Sequence, residues 1–280
     1  MKLNVKTLPT YVISLDKDKE KYNRVSDTLT KLNFQNFSRF PAITDTQFRR
    51  AIKSHYELLS NPVLKPPFLV LEDDVKYTGH NKFLLDIPDD VDALYLGNSS
   101  LAYYHEYTGN FVLYEPVKGN SDIVRIYNML IAHAVVYISQ DYIDMVRRVC
   151  RYHLDEAPNK AFDLSVAEIQ KFFNVYTVDR SIFKQSGHFE QKTDVTISDI
   201  GYTRVTFSSV EKALNRMRNL EEEQNANTKA PKLRPLRYNG ITMFKPKENS
   251  HGPTKNTKIA SKQNPHFRGF TKNIKRQNQG

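Results

Sequence analysis

"PPFLVLEDDVKYTG" (residues 66–79) decides how the rest of the chain reads. Two prolines, which have no N–H to give to a sheet, precede Phe68, Leu69, Val70 and Leu71. A short apolar run rich in branched and aromatic residues suits a strand buried on both faces. Glu72, Asp73 and Asp74 follow without a break. Unpaired carboxylates are costly to bury, so the trio belongs at an open end of the strand. In open parallel sheets the carboxyl ends of the strands are where ligands bind. Three adjacent acids also repel one another. A divalent cation that prefers oxygen ligands, such as magnesium or manganese, relieves that repulsion. The plainer alternative is a solvated turn after a buried strand.

Outward from this stretch, strand and helix patterns alternate. "TYVISL" (10–15) reads as a first strand, and "DKDKEKYNRVSDTLTKL" (16–32) as a helix with Tyr22, Val25, Leu29 and Leu32 on one side. "NFSRFPAI" (36–43) is a second short strand, and "DTQFRRAIKSHYELLS" (45–60) a second helix. Downstream, "DALYLGN" (92–98) and "LIAHAVVYIS" (130–139) read as strands, the latter as a central one. Between them, residues 101–126 scatter Tyr, Gly and Pro and suit a hairpin over the site. Ser139 is placed to cap the helix "QDYIDMVRRVCRYHL" (140–154). "FDLSVAEIQKFF" (162–173) is a helix, and "NVYTVDRSIFKQSG" (174–187) a strand and loop. A last helix spans 208–225, with Ser208 and Glu211 as a capping box. The order predicts an α/β domain over 1–207 with a mostly parallel central sheet, followed by that helix and a basic, mostly disordered tail over 226–280.

The charge is concentrated at one end. Of 41 Lys and Arg and 31 Asp and Glu in the 280 residues, the tail from Ala226 onward holds 13 bases and one acid, Glu248. The tail therefore carries +12, and the remainder, with 28 bases and 30 acids, carries −2. The basicity belongs to the tail, which suits contact with an anionic surface, and says little about the body's chemistry. A single cysteine, Cys150, excludes a disulfide framework within the chain and suits a reducing compartment. No apolar run approaches the ~20 residues of a membrane span, and the N-terminus lacks a leader pattern. A cytoplasmic protein, peripheral to a membrane at most, is expected.

In an extended segment Glu72 and Asp74 point one way and Asp73 the other, which makes an Asp-x-Asp-like pair. Such a pair holds a metal on one carboxylate and a sugar or ribose hydroxyl on the other. The motifs around it complete a pattern. "YVISLDKDKEKYNRV", "FPAI" (40–43), "SHYELL" (54–59), "FLVLEDDV", "DALYLGN", "AHAVVYIS", "FDLSV", "FKQSG" and "SDI" (198–200) occur in the order found in family 25 glycosyltransferases, the lipopolysaccharide-biosynthesis and collagen galactosyltransferase type. The chain resembles that family over roughly 10–200, in the series rather than in one motif.

The resemblance implies a GT-A type, Rossmann-like three-layer fold, a nucleotide-sugar donor and a divalent Mn2+ or Mg2+. Transferred position by position, it makes Asp74 a metal ligand, sets Glu72 or Asp73 on the donor and brings Asp16 toward the nucleotide. Lys21 and Arg24 face the phosphates, Gln185 reaches the donor, and Asp163 becomes the general base. His55 and His133 line the acceptor side or the pocket. Ser14 stands where the family has Asn, and Lys21 where it has Arg, with Arg24 one turn on.

Plainer readings stand beside these. Asp16 and Asp163 also suit helix starts, His55 a packed helix face, His133 a core strand, and Gln185 a loop. The function that follows is transfer of a sugar to a hydroxyl on a glycan, lipopolysaccharide or protein. The alternatives are metal-dependent nucleotidyl or phosphoryl transfer, which needs a second acidic cluster, and a non-enzymatic protein that binds an anionic partner through the tail.

Overall fold

A computed structural model describes residues 1–103, 112–156, 161–187, 190–199, 234–238 and 241–245. The chain divides into two units, Met1–Thr228 and Lys229–Gly280.

In the first unit the quoted stretch sits near the middle of an eight-stranded sheet. Its strands are β2 (Thr10–Ser14), β3 (Phe37–Pro41), β4 (Phe68–Glu72), β7 (Ala93–Tyr95), β8 (Tyr114–Val117), β9 (Asn120–Ile126), β10 (Ala134–Tyr137) and β11 (Val175–Val178). They lie in the order β3, β2, β4, β10, β7, β11, β9, β8. Four short strands of this unit stand apart from this sheet. β1 (Lys2–Asn4) pairs with β6 (Leu84–Asp86), and β5 (Val75–Tyr77) pairs with β12 (Phe183–Gln185). The helices are α1 (Lys19–Lys31), α2 (Gln47–Leu59), α3 (Gln140–Glu156), α4 (Phe162–Gln170) and the short α5 (Glu190–Thr193).

The sheet is mixed, which corrects the expectation of a mostly parallel one. β3, β2 and β4 run parallel, as do β7 and β11. β10 runs antiparallel to both of its neighbours, β4 and β7, and the β8–β9 hairpin is antiparallel to β11. The reason lies in what an apolar run encodes. All four residues of β10 are buried, so the run says that both faces are covered and nothing about strand direction. The hairpin after β7 consumes the chain that would otherwise form a crossover helix, and the chain re-enters the sheet reversed.

β4 itself behaves as its sequence requires. Phe68, Leu69, Val70 and Leu71 are all but inaccessible to solvent, with register partners Tyr137, Val136, Val135 and Ala134 on β10. Leu69 and Leu71 join Val12, Leu94, Val136 and Val178 in the main core cluster. α1 closes this layer with Val25 and Leu29. The far ends of three strands are tied by one carboxylate. Asp92 accepts from the Ser139 hydroxyl at 2.5 Å and from the Asn174 amide at 2.8 Å, just before β7, after β10 and before β11. Ser139 also accepts from the Tyr142 amide at 3.1 Å, the cap expected of it.

The helix expected over 162–173 ends earlier, at Gln170. The helix expected over 208–225 lies outside the described residues. Within the tail, β13 (Arg234–Tyr238) and β14 (Ile241–Lys245) pair antiparallel from Arg234↔Lys245 to Tyr238↔Ile241, and the remainder of 226–280 lies outside the described residues. Asn239-Gly240 between them is the dipeptide that favours two-residue hairpins. No described helix is long and apolar enough to cross a membrane.

One glycine sets the approach of β10's entry to β12. A Cβ on Gly97 would lie 2.1 Å from His133 Nε2 and 2.7 Å from the Phe183 carbonyl oxygen. Those two atoms are themselves hydrogen-bonded at 3.0 Å. Gly97→Ala is therefore expected to destabilise the protein by roughly 1–3 kcal/mol, because backbone and a buried ring must move. Chemical denaturation checks this, and an unchanged midpoint would show that the contact yields freely.

Candidate active site

The carboxylate trio occupies the tight turn from β4 into β5. Glu72 is the last residue of β4, paired with the neighbouring strands by the bond from its amide to the His133 carbonyl (2.9 Å) and by its register with Ile13. Asp73 and Asp74 form the turn, so the strict alternation expected through Asp74 stops at Glu72. β12 fixes the turn from outside. Ser186 donates its amide to the Asp74 carbonyl at 2.7 Å, and Gln185 Nε2 donates to Asp74 Oδ2 at 2.9 Å.

Each acid meets a different environment. Asp74 Oδ1 is buried and has no hydrogen-bond partner among the described residues. Burial, then the negative charge of Glu72, pushes its pKa up to about 7 against the opposing bond from Gln185. Asp73 is also raised, first by burial, while the Ser14 hydroxyl and Lys21 oppose the shift. Glu72 goes the other way. Burial disfavours its charge, but the hydrogen bond and the charge of His55 outweigh it and hold the carboxyl below the usual range. His55 Nε2 lies 3.3 Å from Glu72 Oε1, and its ring stacks on Phe162 at 3.8 Å and 12°.

Two cavities meet at Glu72. The first, about 200 Å3, lies at the carboxyl end of β2. It is lined by Ser14, Asp18 and Lys21 on one side, Arg50, Ser54 and His55 on the other, and the whole trio. The second, about 260 Å3, is lined by Glu72, Gln185 and Asp163 together with Leu101, Ile131 and Phe162. Asp163 stands in the first turn of α4, where its Oδ1 accepts from the Leu164 amide at 2.8 Å. Burial, and then the charge of Glu72, raises its pKa against that bond. Ile131 adopts φ 114°, a conformation that costs a branched residue free energy and that recurs at binding sites.

Of the residues the sequence singled out, Lys21, His55, Glu72, Asp73 and Asp74 share the first cavity. Glu72, Asp163 and Gln185 share the second. Asp16 lines neither. Its side chain is 83% exposed and pairs with Arg39 at 2.5 Å. Arg24 lies in a separate groove on the far side of Asp73. His133 is buried in the core, with Nε2 against the Phe183 carbonyl, and lines neither cavity. Sequence reading passed over Arg50, which sits one turn before Ser54 on α2 and beside His55. Its i, i+4 spacing to the Ser of "SH" was the available signal.

Acids outnumber bases around the first cavity, with Asp18 and the trio against Lys21 and Arg50. Among the described residues no three His, Cys, Asp or Glu side chains are placed to hold a metal together. The unpartnered Oδ1 of Asp74 nevertheless fits a hard cation that takes most of its oxygens from a bound ligand, as magnesium does with phosphates.

The raised pKa of Asp74 has a stability consequence. The folded state holds its proton more tightly than the unfolded chain, so the stabilisation is complete below pH 4 and is lost as pH rises through 7. Asp74→Asn removes that loss. The variant is expected to exceed the parent in stability at pH 8 by on the order of 1–3 kcal/mol, with the gap closing toward pH 4. Urea midpoints at several pH values measure it, and a gap independent of pH contradicts the assignment.

No family model matches the chain, and no curated protein matches it. Among solved structures, a glycosyltransferase involved in the glycosylation of the major capsid of PBCV-1 is similar over 59% of this chain and 75% of its own, at 13% identity and a TM-score of 0.37. The CTP:phosphocholine cytidylyltransferase of Streptococcus pneumoniae is similar over 64% of this chain and 72% of its own, at 12% identity and a TM-score of 0.37.

Proposed function

We propose that the chain is a glycosyltransferase that moves a sugar from a nucleotide-diphosphate sugar to a hydroxyl on a glycan, lipopolysaccharide or protein acceptor. The observation that carries this reading is the shared wall. Two cavities meet at a single carboxylate, Glu72, with a charged cavity on one side and the half-buried carboxylate of Asp163 on the other. A group-transfer reaction needs that layout, because donor and acceptor must lie side by side with water excluded. The ordered motif series of the sequence supports the same reading.

In this reading the donor occupies the first cavity. Lys21 and Arg50 approach it from opposite walls and meet the diphosphate. The Ser14 hydroxyl and Asp73 form a hydrogen-bonded edge for ribose or sugar hydroxyls. Asp74 would hold a manganese or magnesium ion, which would supply charge compensation for the leaving group. The acceptor enters the second cavity. Its oxygen attacks the anomeric carbon, the bond to the diphosphate breaks, and Asp163 takes the acceptor proton in an inverting reaction. Burial makes Asp163 the stronger base for that step. His55 holds Glu72 in one rotamer at the boundary, and its stack on Phe162 ties that position to the helix that carries Asp163.

A panel of nucleotide sugars with manganese, read by released nucleoside diphosphate, tests the proposal. Turnover with one donor is expected, abolished in Asp74→Asn and lowered about 10²–10⁴-fold in Asp163→Asn. Release of the sugar 1-phosphate in place of nucleoside diphosphate would assign nucleotidyl transfer instead. Full activity in Asp74→Asn removes the metal role.

A further inference from the structure

A third space adjoins the trio and is larger than either cavity. It is a groove of about 630 Å3 between α1 and β5, and it meets the first cavity at Asp73. Arg24 and Lys31 project into it from α1, two turns apart on one face of the helix. Neither makes an ion pair among the described residues. This is informative because Asp27 lies between them at i+3 from Arg24 and i−4 from Lys31, the spacings at which helix pairs close, and it closes with neither. The third base, Lys76, is already satisfied by Glu190 at 2.8 Å. Ser186 adds a polar edge, the Thr28 hydroxyl donates to the Arg24 carbonyl at 2.8 Å, and Tyr77 forms part of the wall, its ring stacked on Phe83 at 6.0 Å.

Two cations without ion-pair partners on one helix face, beside an aromatic ring, suit a sugar that carries an anionic group seated away from the carboxylates of Asp27 and Asp73. The planar guanidinium of Arg24 suits the paired oxygens of a phosphate or carboxylate, and Lys31 adds a second charge. The space exceeds what one phosphate fills. The sequence reading had grouped Arg24 with Lys21 at the donor, but the two residues line different spaces.

We propose that this groove binds an anionic sugar unit of the acceptor, with its phosphate or carboxylate on Arg24 and Lys31. Only the word acceptor rests on the glycosyltransferase reading; the anion site stands on the groove alone.

Binding to the full chain tests it, with glucose 1-phosphate, glucuronate and glucose as separate probes followed by NMR shifts of the α1 amides and the Arg24 guanidinium. The two anionic probes are expected to shift Arg24 and Lys31 together, with glucose at least tenfold weaker. The phosphate and carboxylate arms identify which anion is preferred. In Arg24→Gln/Lys31→Gln the anionic probes should lose at least tenfold in affinity, while a nucleoside diphosphate with manganese still binds the first cavity within twofold of the parent. The charge reversal Lys31→Glu should weaken the anions further. Equal binding of glucose and glucose 1-phosphate, or anion binding that survives the double substitution, overturns the proposal. Absence of nucleoside diphosphate binding in the parent would overturn the donor assignment and leave the groove result intact.

Discussion

β4 is enclosed on both faces for the whole of its apolar length, between β2 and β10, and no ionised side chain is tolerated along it. Charge that follows such a strand has to emerge at the sheet's edge, and it emerges within a single turn. The rest of the site answers that constraint. β12 packs against β5 so that Gln185 and Ser186 meet the turn, α2 brings His55 to Glu72, and the end of β2 brings Ser14 to Asp73. Each of the three acids thereby acquires its own neighbour, and their equilibria separate: one carboxyl is held ionised by a histidine and the other two are pushed toward their protons. An unstructured acidic patch would show no such division.

The division also explains how one short segment serves two cavities. Glu72 faces both, with 28% of its side chain exposed, and is the acid whose charge is secured. Asp74 is bonded to Gln185 of β12 through one oxygen and keeps the other, buried, without a protein partner among the described residues. A buried carboxylate oxygen left unbonded is costly in a fold with no use for it. Burial of that oxygen is part of what raises the Asp74 pKa.

Much of this layout is legible in the sequence. The limits of β2, α1, α2 and β4 follow from apolar spacing, and the cap at Ser139 from its residue type. Two matters are not encoded locally. Strand direction cannot be read from β10, because a four-residue run buried on both sides looks the same in either orientation. The roles of Asp16, Arg24 and His133 depend on where neighbouring elements fall. Asp16 finds Arg39 on the adjacent strand, Arg24 turns past Asp73 into the groove, and His133 is claimed by a carbonyl 50 residues downstream. Arg50 became visible for the same reason in reverse, since only tertiary packing sets it opposite Lys21.

Gly97 and His133 illustrate how tightly the frame behind the site is determined. The imidazole occupies the volume in which any other residue at 97 would place its first side-chain carbon, and its nitrogen spans to β12 across that space. The two positions therefore behave as one locus under sequence drift. A larger residue at 97 is admissible only with a smaller one at 133, and that exchange also surrenders the bond to the Phe183 carbonyl. Variation on the cavity walls can proceed residue by residue; behind them, change has to arrive in pairs.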